Sequence, residues 1–203
     1  MLYAAATSLG ACAVMPAYLA HAADSAVPHQ DVYFNMWRVS WVAHAPRTPG
    51  GLWDANIFSP ERWTLAMSYA VPVESLVAAP LLWLHVPPVL VHNVLIVGAT
   101  VGSAVAMACL AWYLTGSRAA GAVAGLIFAF APYRIEHVMH LELQWAMWIP
   151  LMFLAAHRLA ETGRLRYGAA MGGCVALQLC SPACTTACSW RPCWPWPCPC
   201  CCW

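Results

Sequence analysis

Acidic, basic and amide side chains that could bind a polar ligand or transfer a proton begin at Asp31 in this chain of 203 residues. Asp31, Asn35 and Arg38 recur at i, i+4 and i+7, so that a helix would carry them as one polar stripe. The aromatic and histidine side chains of a neighbouring face are Tyr33, Trp37, Trp41 and His44. We expect this helix to lie at a membrane interface, with its polar stripe facing an extracytoplasmic cleft. Alternatively, the aromatic residues only anchor an outer helix.

A second polar stretch, from residue 133 to residue 144, repeats this combination. Its spacing predicts one helical face that carries Tyr133, His137, His140 and Gln144, with Arg134 and Glu136 beside it. Two histidines three residues apart near carboxylates suit a divalent metal ion. The same histidines and Arg134 also suit an anionic headgroup such as a lipid phosphate, whose oxygens accept hydrogen bonds. A solvated interfacial turn is the third alternative.

The amino-acid composition indicates whether these polar residues belong to a soluble protein or to a membrane protein. The chain is 62% hydrophobic and 8% charged, whereas soluble domains are roughly 45–50% apolar and about 25% charged. An ordinary water-soluble globule is therefore excluded. All nine basic residues are arginines and the net charge is +1, which gives no basic surface for nucleic acid. The chain contains no Walker loop, dinucleotide-binding fingerprint or HExxH motif.

Apolar stretches that we interpret as membrane helices or parts of them recur along the chain. They are Leu2 to Ala23, Pro88 to Leu114, Ala119 to Pro132, Trp145 to Ala160 and Tyr167 to Cys180. The predicted fold is therefore all-α, a polytopic membrane helix bundle of about four or five spans. Its long extracytoplasmic first loop carries interfacial helices. Alternatives for the first stretch are a cleaved signal peptide and a lipoprotein signal. Glu74, Pro72 and Pro80 interrupt the stretch from Met67 to Val86, which predicts an interfacial or partly embedded segment.

Arginine distribution predicts the orientation of these spans. The loops from Gly116 to Arg118 and from His157 to Arg166 contain four arginines and one acid, Glu161. The outer segments, Asp24 to Pro87 and Tyr133 to Gln144, contain the other seven acids and four arginines. Because cytoplasmic loops are enriched in basic residues, the first pair of loops is expected inside and the second pair outside. Within the spans, glycines four apart at Gly98 and Gly102, and at Gly121 and Gly125, predict close helix packing.

Five short sequence segments together resemble the GT-C class of membrane glycosyltransferases, through uncharacterised bacterial multi-pass proteins related to that class. The resemblance covers about Pro28 to Ser181. The segments are Asp31-x-x-x-Asn35-x-Trp37-Arg38-x-x-Trp41-x-x-His44, Leu52-Trp53-Asp54-Ala55-Asn56-Ile57-Phe58-Ser59-Pro60, Thr115-Gly116-Ser117-Arg118, Phe128-Ala129-Phe130-Ala131-Pro132-Tyr133-Arg134 and His140-Leu141-Glu142-Leu143-Gln144.

This resemblance implies that a sugar is transferred from a polyprenyl-phosphate donor at the extracytoplasmic side of the bacterial inner membrane. It implies a catalytic acid at Asp31 and a second-loop acid at Glu136 or Glu142, and it names no certain cofactor, a divalent metal ion being an option. The implied substrate-binding residues are Asn35, Arg38, Asp54, Asn56, Arg134, His137, His140 and Gln144. The chain has one first-loop acid where such enzymes often have a pair. It also has fewer spans, so residues 1–181 are expected to form the N-terminal part of such an enzyme.

A noncatalytic membrane scaffold or a transporter fragment is the alternative from a different functional class. In that case the outer histidines and acids would bind an ion or a partner protein. Transporters are expected to place ionisable groups inside their spans. Here only His92 and Asn93 fall within a predicted span, near its outer end, which favours the transferase.

Residues 182–203 are unlike the rest of the chain, with seven cysteines and four tryptophans in 22 residues. Metal binding is disfavoured because this tail has no pair of CxxC motifs at zinc-finger spacing and no histidine. In the reading frame that begins one base earlier, every Cys and Trp codon becomes NTG, which encodes Leu, Val or Met. Proline codons become small residues in the same frame. The tail is therefore predicted to arise from a single-base deletion near codon 181, with the other frame encoding the rest of the fifth span.

Resequencing the gene across codon 181 tests this prediction. The frame one base earlier is expected to stay open and to encode further apolar segments. A stop codon in that frame soon after codon 181 would contradict the frame change and make the cysteine-rich tail a real segment.

Overall fold

The computed structural model describes residues 21–47, 51–58, 60–67 and 71–180. Most of the first predicted span and the whole cysteine-rich tail lie outside the described residues. The described part is helical and contains no strand, as predicted for an all-α protein. Its α-helices are α1 (Gln30–His44), α2 (Pro72–Trp83), α3 (Pro88–Thr115), α4 (Arg118–Ala129), α5 (Pro132–Glu136), α6 (Leu141–Gln144), α7 (Trp148–Thr162) and α8 (Leu165–Cys180). Short 3-10 turns cover Ala45–Arg47 and Thr64–Met67.

Helix α1 places the first polar stripe on a helix, as predicted. Its N-terminal cap is His29, whose side chain accepts a hydrogen bond from the Asp31 amide at 3.3 Å. The Asp31 carboxylate lies in the first turn, where the helix dipole favours a negative charge. The buried side of α1 contributes Val39 to the main apolar core, together with Ala78 of α2 and Ile96 of α3. This packing fixes the direction in which the polar stripe faces.

Helix α3 is the longest element, with 28 residues, or about 42 Å of rise. It begins with a proline at its first position, where no amide donor is lost. It ends at Gly116, whose φ of +71° permits the left-handed cap that donates to the Trp112 carbonyl. Its N-terminal half contacts α1 and α2, and its C-terminal half contacts α4 and α7. Helix α3 therefore connects the outer helices to the rest of the bundle.

Small residues let α3 and α4 approach closely. A Cβ atom at Gly121 would lie 2.7 Å from the Ala108 carbonyl oxygen, and one at Gly125 would lie 2.6 Å from that of Ala104. The predicted role of this glycine pair is therefore confirmed. Gly98 differs, because a Cβ atom added there would meet no atom within 4 Å.

Among the residues that the structure describes, two helical segments are long and apolar enough to cross a membrane, Pro88–Thr115 and Arg118–Glu136. They coincide with the second and third predicted spans. Helices α7 and α8 begin and end close to the next two predicted stretches. They contain 15 and 16 residues, fewer than the roughly 20 that a perpendicular span needs. Helix α2 is a shorter apolar helix, located where an interfacial segment was predicted.

The second polar stretch does not form the single helical face that its spacing predicts. Helix α5 ends at Glu136, and a turn separates it from α6, which begins at Leu141. The Gln144 side-chain amide donates to the Arg134 carbonyl at 3.0 Å and to the His137 carbonyl at 2.9 Å. It thereby satisfies carbonyl groups near the end of α5, which would otherwise lack partners.

The close contact of α3 with α4 gives a stability prediction. Gly125→Ala is expected to lower the free energy of unfolding by about 1–3 kcal/mol, because the new methyl group must push the helices apart. Denaturant unfolding of the purified chain in detergent micelles measures this change. Gly98→Ala is the matched control, and it should leave stability unchanged or raise it by up to about 1 kcal/mol. Equal losses for the two variants would contradict the packing described.

Candidate functional site

The candidate site lies where α1 meets the turn before α6. Five side chains converge there, and we call them the polar cluster: Asp31, Asn35, Arg38, His140 and Glu142. The Asn35 amide donates to the Met139 carbonyl at 2.8 Å, across 104 residues of sequence. Its side-chain oxygen accepts a hydrogen bond from Arg38. Both predicted polar stretches therefore contribute to one site.

Arg38 and Glu142 form the buried part of the polar cluster. The Arg38 Nη2 atom lies 3.4 Å from Glu142 Oε2, and their side chains are 4% and 10% exposed. Burial lowers the pKa of Arg38 below its ordinary value, while the nearby carboxylates of Glu142, Glu74 and Asp31 act in the opposite direction. Charges in such surroundings are screened less than at a surface. Arg38 therefore holds a positive charge at a fixed place in the cluster, and Glu142 offsets part of its field.

Asp31 and His140 form the accessible part of the polar cluster. His140 Nδ1 lies 3.6 Å from Asp31 Oδ2 and 3.9 Å from Glu142 Oε1. The Asp31 side chain is 43% exposed, and it also lies 3.5 Å from His29 Nδ1. A carboxylate beside an imidazole can accept a proton from a bound hydroxyl group. Asp31 is the acid of the cluster that a substrate can reach most directly.

Arg134 and Gln144 form a second buried polar group next to the cluster. Arg134 Nη2 donates to the Ser103 hydroxyl at 3.2 Å and to the Gln144 carbonyl at 2.8 Å. These bonds connect α5 and α6 to the middle of α3. Ser103 had no role in the sequence analysis, because one serine in an apolar helix is an ordinary packing residue. Arg134 and Gln144 were predicted to bind substrate, and their observed contacts position the turn that carries His140.

A cavity of about 350 Å³ lies on the other side of Glu142. Its walls are mainly apolar, and its polar lining comes from Tyr133, Arg134, Glu142 and Gln178. Gln178 belongs to α8 and was not predicted, because no motif marks a single glutamine in an apolar helix. Glu142 therefore borders both the polar cluster and an apolar space.

Besides Arg134, Gln144 and His137, three more predicted site residues lie outside the polar cluster. Asp54 accepts a hydrogen bond from the Trp63 amide at 2.7 Å and one from Arg62 at 3.3 Å. The Trp63 amide, followed by Arg62, holds the pKa of Asp54 below its ordinary value. Its observed contacts stabilise the loop after α1. Asn56 is exposed in the same loop, and Glu136 is exposed at the end of α5.

The two histidines of the second stretch lie close together, with ring centroids 5.8 Å apart, but they contact different partners. The His137 ring stacks on Tyr133 at a centroid distance of 4.1 Å, and its Nδ1 atom lies 2.9 Å from the Tyr133 carbonyl oxygen. Within residues 21–180, as far as the structure describes them, no group of three His, Cys, Asp or Glu side chains is arranged to hold a metal ion. The metal-binding and anion-binding alternatives both stay predictions.

Glu74 is a buried acid near the cluster that the sequence analysis treated only as an interruption of an apolar stretch. It belongs to the first turn of α2, is fully buried and contributes to the electrostatic potential at Arg38. The sequence gives no indication that Glu74 lies near Arg38, because the two residues are 36 positions apart and belong to different helices.

Comparisons with known proteins supply no relative. No family model, curated protein or solved structure matches the chain. The function must therefore be argued from the polar cluster itself.

The buried ion pair gives a second stability prediction. Glu142→Gln keeps the size of the side chain but removes its charge, which leaves Arg38 buried with less compensation. The free energy of unfolding is expected to fall by about 3 kcal/mol, at the lower end of such losses because Glu74 remains. Glu136→Gln is the matched control, because that carboxylate is exposed, and it should change stability by less than about 0.5 kcal/mol. Similar small effects of both changes would show that the pair does not hold α1 against α6.

Proposed function

We propose that this chain acts in an integral membrane glycosyltransferase, which transfers a sugar from a polyprenyl-phosphate donor at the extracytoplasmic side of the bacterial inner membrane. The observation that carries the proposal is the convergence of Asp31 and His140 beside the buried Arg38–Glu142 pair. The resemblance to the GT-C class, which rests on the same residues, supports it.

The cluster suits an inverting displacement. Asp31 takes the proton of the acceptor hydroxyl group while the acceptor oxygen attacks the anomeric carbon. The bond from that carbon to the donor phosphate breaks, and its electron pair leaves with the polyprenyl phosphate. His140, 3.6 Å from Asp31, donates a hydrogen bond to the leaving oxygen, and Arg38 stabilises the developing negative charge through its field.

The length of α3 supports a position near the outer membrane surface. Ser103, which contacts Arg134 beside the cluster, precedes Gly116 by 13 residues, or about 20 Å of helix rise. The hydrocarbon core is about 30 Å thick. With the arginine-rich turn at Gly116 on the cytoplasmic side, the Ser103 level falls in the outer half. The first turns of α3, with α1 and α2, then extend above the hydrocarbon, where a lipid-linked phosphate resides.

The cavity beside Glu142 supports a lipid-linked donor. Its apolar walls accept the isoprenoid units next to the phosphate, and Arg134 and Glu142 lie at its polar side. The proposal also includes the finer topology predicted above, a multi-pass bundle of four or five spans. Helices α7 and α8 serve as two of these spans, in addition to the two segments whose length and composition suffice.

The scaffold or transporter alternative relied on two polar residues within a predicted span, His92 and Asn93, and the contacts of Asn93 do not support it. Asn93 lies in the predicted span, but its side-chain amide donates to the carbonyls of Ala22 and Ser25 at 2.9 Å and 2.7 Å. This residue therefore joins the segment before α1 to α3 instead of facing a transport pathway.

Asp31→Asn tests the proposed function. The full-length protein, with its reading frame restored at codon 181, is placed in lipid nanodiscs and given a polyprenyl-phosphate monosaccharide with a radiolabelled sugar, and transfer or release of the sugar is measured. The substitution is expected to reduce turnover by about 10²–10⁴-fold, because the amide cannot accept the proton.

Asp24→Asn is the matched control for this experiment. Asp24 is an exposed acid of the same outer segment, 3.9 Å from His21, and its change to the amide should leave turnover unchanged. Equal turnover in wild-type and Asp31→Asn protein would contradict the role of Asp31. A wild-type protein that leaves the donor intact would overturn the proposal as a whole.

A further inference from the structure

A second and larger cavity, of about 720 Å³, lies at the opposite end of α3 from the outer helices. It forms where the last turns of α3 meet the end of α7 and the start of α8. Leu151, Leu154 and Ala170 are among its apolar walls, and Trp112 and Tyr167 are among its aromatic ones. We call it the inner groove. Nothing in the proposed transfer reaction uses it.

One arginine lines the inner groove, and a second stacks on one of its aromatic walls. Arg158 lines it directly, and its guanidinium carbon lies 4.6 Å from the centroid of the Tyr113 ring. Arg166 lies in the same way over Tyr167, at 4.8 Å. The loops at this end contain four arginines and a single acid, Glu161, which accepts a hydrogen bond from the Tyr113 hydroxyl. The end of the bundle around the groove is therefore positively charged.

We infer that the inner groove binds an anionic phospholipid of the cytoplasmic leaflet. An acyl chain occupies the apolar walls between α7 and α8, and the headgroup phosphate contacts Arg158, with Arg166 nearby. The charge of the rim selects this occupant, because an arginine offers paired N–H donors to phosphate oxygens and a net negative headgroup gains most from the field. Basic pockets between membrane helices on this side are suited to such headgroups.

This inference depends on the membrane insertion proposed above, but not on sugar transfer. The groove and the polar cluster share no lining residue. A protein inactive toward the polyprenyl donor can therefore still bind the lipid, and an active protein can lack the lipid site. The two proposals fail separately.

Native mass spectrometry of the full chain in detergent, titrated with phosphatidylglycerol or with phosphatidylcholine, tests the inference. Wild-type protein is expected to prefer phosphatidylglycerol by about 10-fold. Arg158→Gln should reduce this preference by about fivefold, the effect of one basic residue near a headgroup. Arg62→Gln removes the same charge from a side chain that is 78% exposed in the outer loop, and it should leave the preference unchanged.

Two native thiols locate the bound lipid. Cys109 and Cys174 line the inner groove, whereas Cys180 is exposed outside it. Phosphatidylglycerol should slow alkylation of the first two and leave Cys180 unaffected, as mapped by peptide mass spectrometry. Ala170→Trp, which fills the groove, should abolish this protection and the binding of either lipid.

Three outcomes would overturn the inference. The first is equal binding of the two lipids by wild-type protein, and the second is an unchanged preference in Arg158→Gln. The third is protection of Cys109 and Cys174 without added lipid that increases with protein concentration, which would assign the groove to self-association.

Discussion

A buried cation, Arg38, imposes the main requirement on the outer half of the described structure. Transferring an unpaired charge from water into a protein interior costs several kcal/mol or more. The carboxylate of Glu142 and the amide oxygen of Asn35 offset part of this cost. Because Glu142 is 104 residues away along the chain, its share of the compensation is present only when α1 and α6 meet. The same meeting places His140 beside Asp31, so folding and site assembly are one event.

Buried polar contacts continue from this pair to the middle of α3. Arg134, Ser103 and Gln144 bond to one another and to backbone carbonyls where α5 and α6 meet α3. Hydrogen bonds in apolar surroundings are costly to leave unmade. The break between α5 and α6 is thus stable, although a continuous helix would satisfy more backbone groups locally. It lets the turn that carries His140 reach α1.

The long apolar helices could be predicted from the sequence, but the contacts between their side chains could not. The apolar stretch from Pro88 to Leu114 predicted α3 to within one residue, because composition and length alone define such a helix. The prediction of one helical face over residues 133–144 was wrong. Helical periodicity does not show that the Gln144 side chain donates hydrogen bonds to the backbone carbonyls of Arg134 and His137, where the helix is interrupted. Asp54 was predicted to bind substrate from its motif. Its observed partners, Arg62 and Trp63, stabilise a loop, and its role toward substrate stays a prediction.

The bonds of Asn93 have a consequence for how the protein is made. Its side-chain amide donates hydrogen bonds to the carbonyls of Ala22 and Ser25, which precede it by 71 and 68 residues. At synthesis rates of about 5–20 residues per second, α3 leaves the ribosome roughly 4–14 s after this early segment. During that interval the early segment lacks its two hydrogen bonds from Asn93. The contact between α3 and the early segment therefore forms only after α3 has been synthesised, and it sets the order in which these two parts assemble.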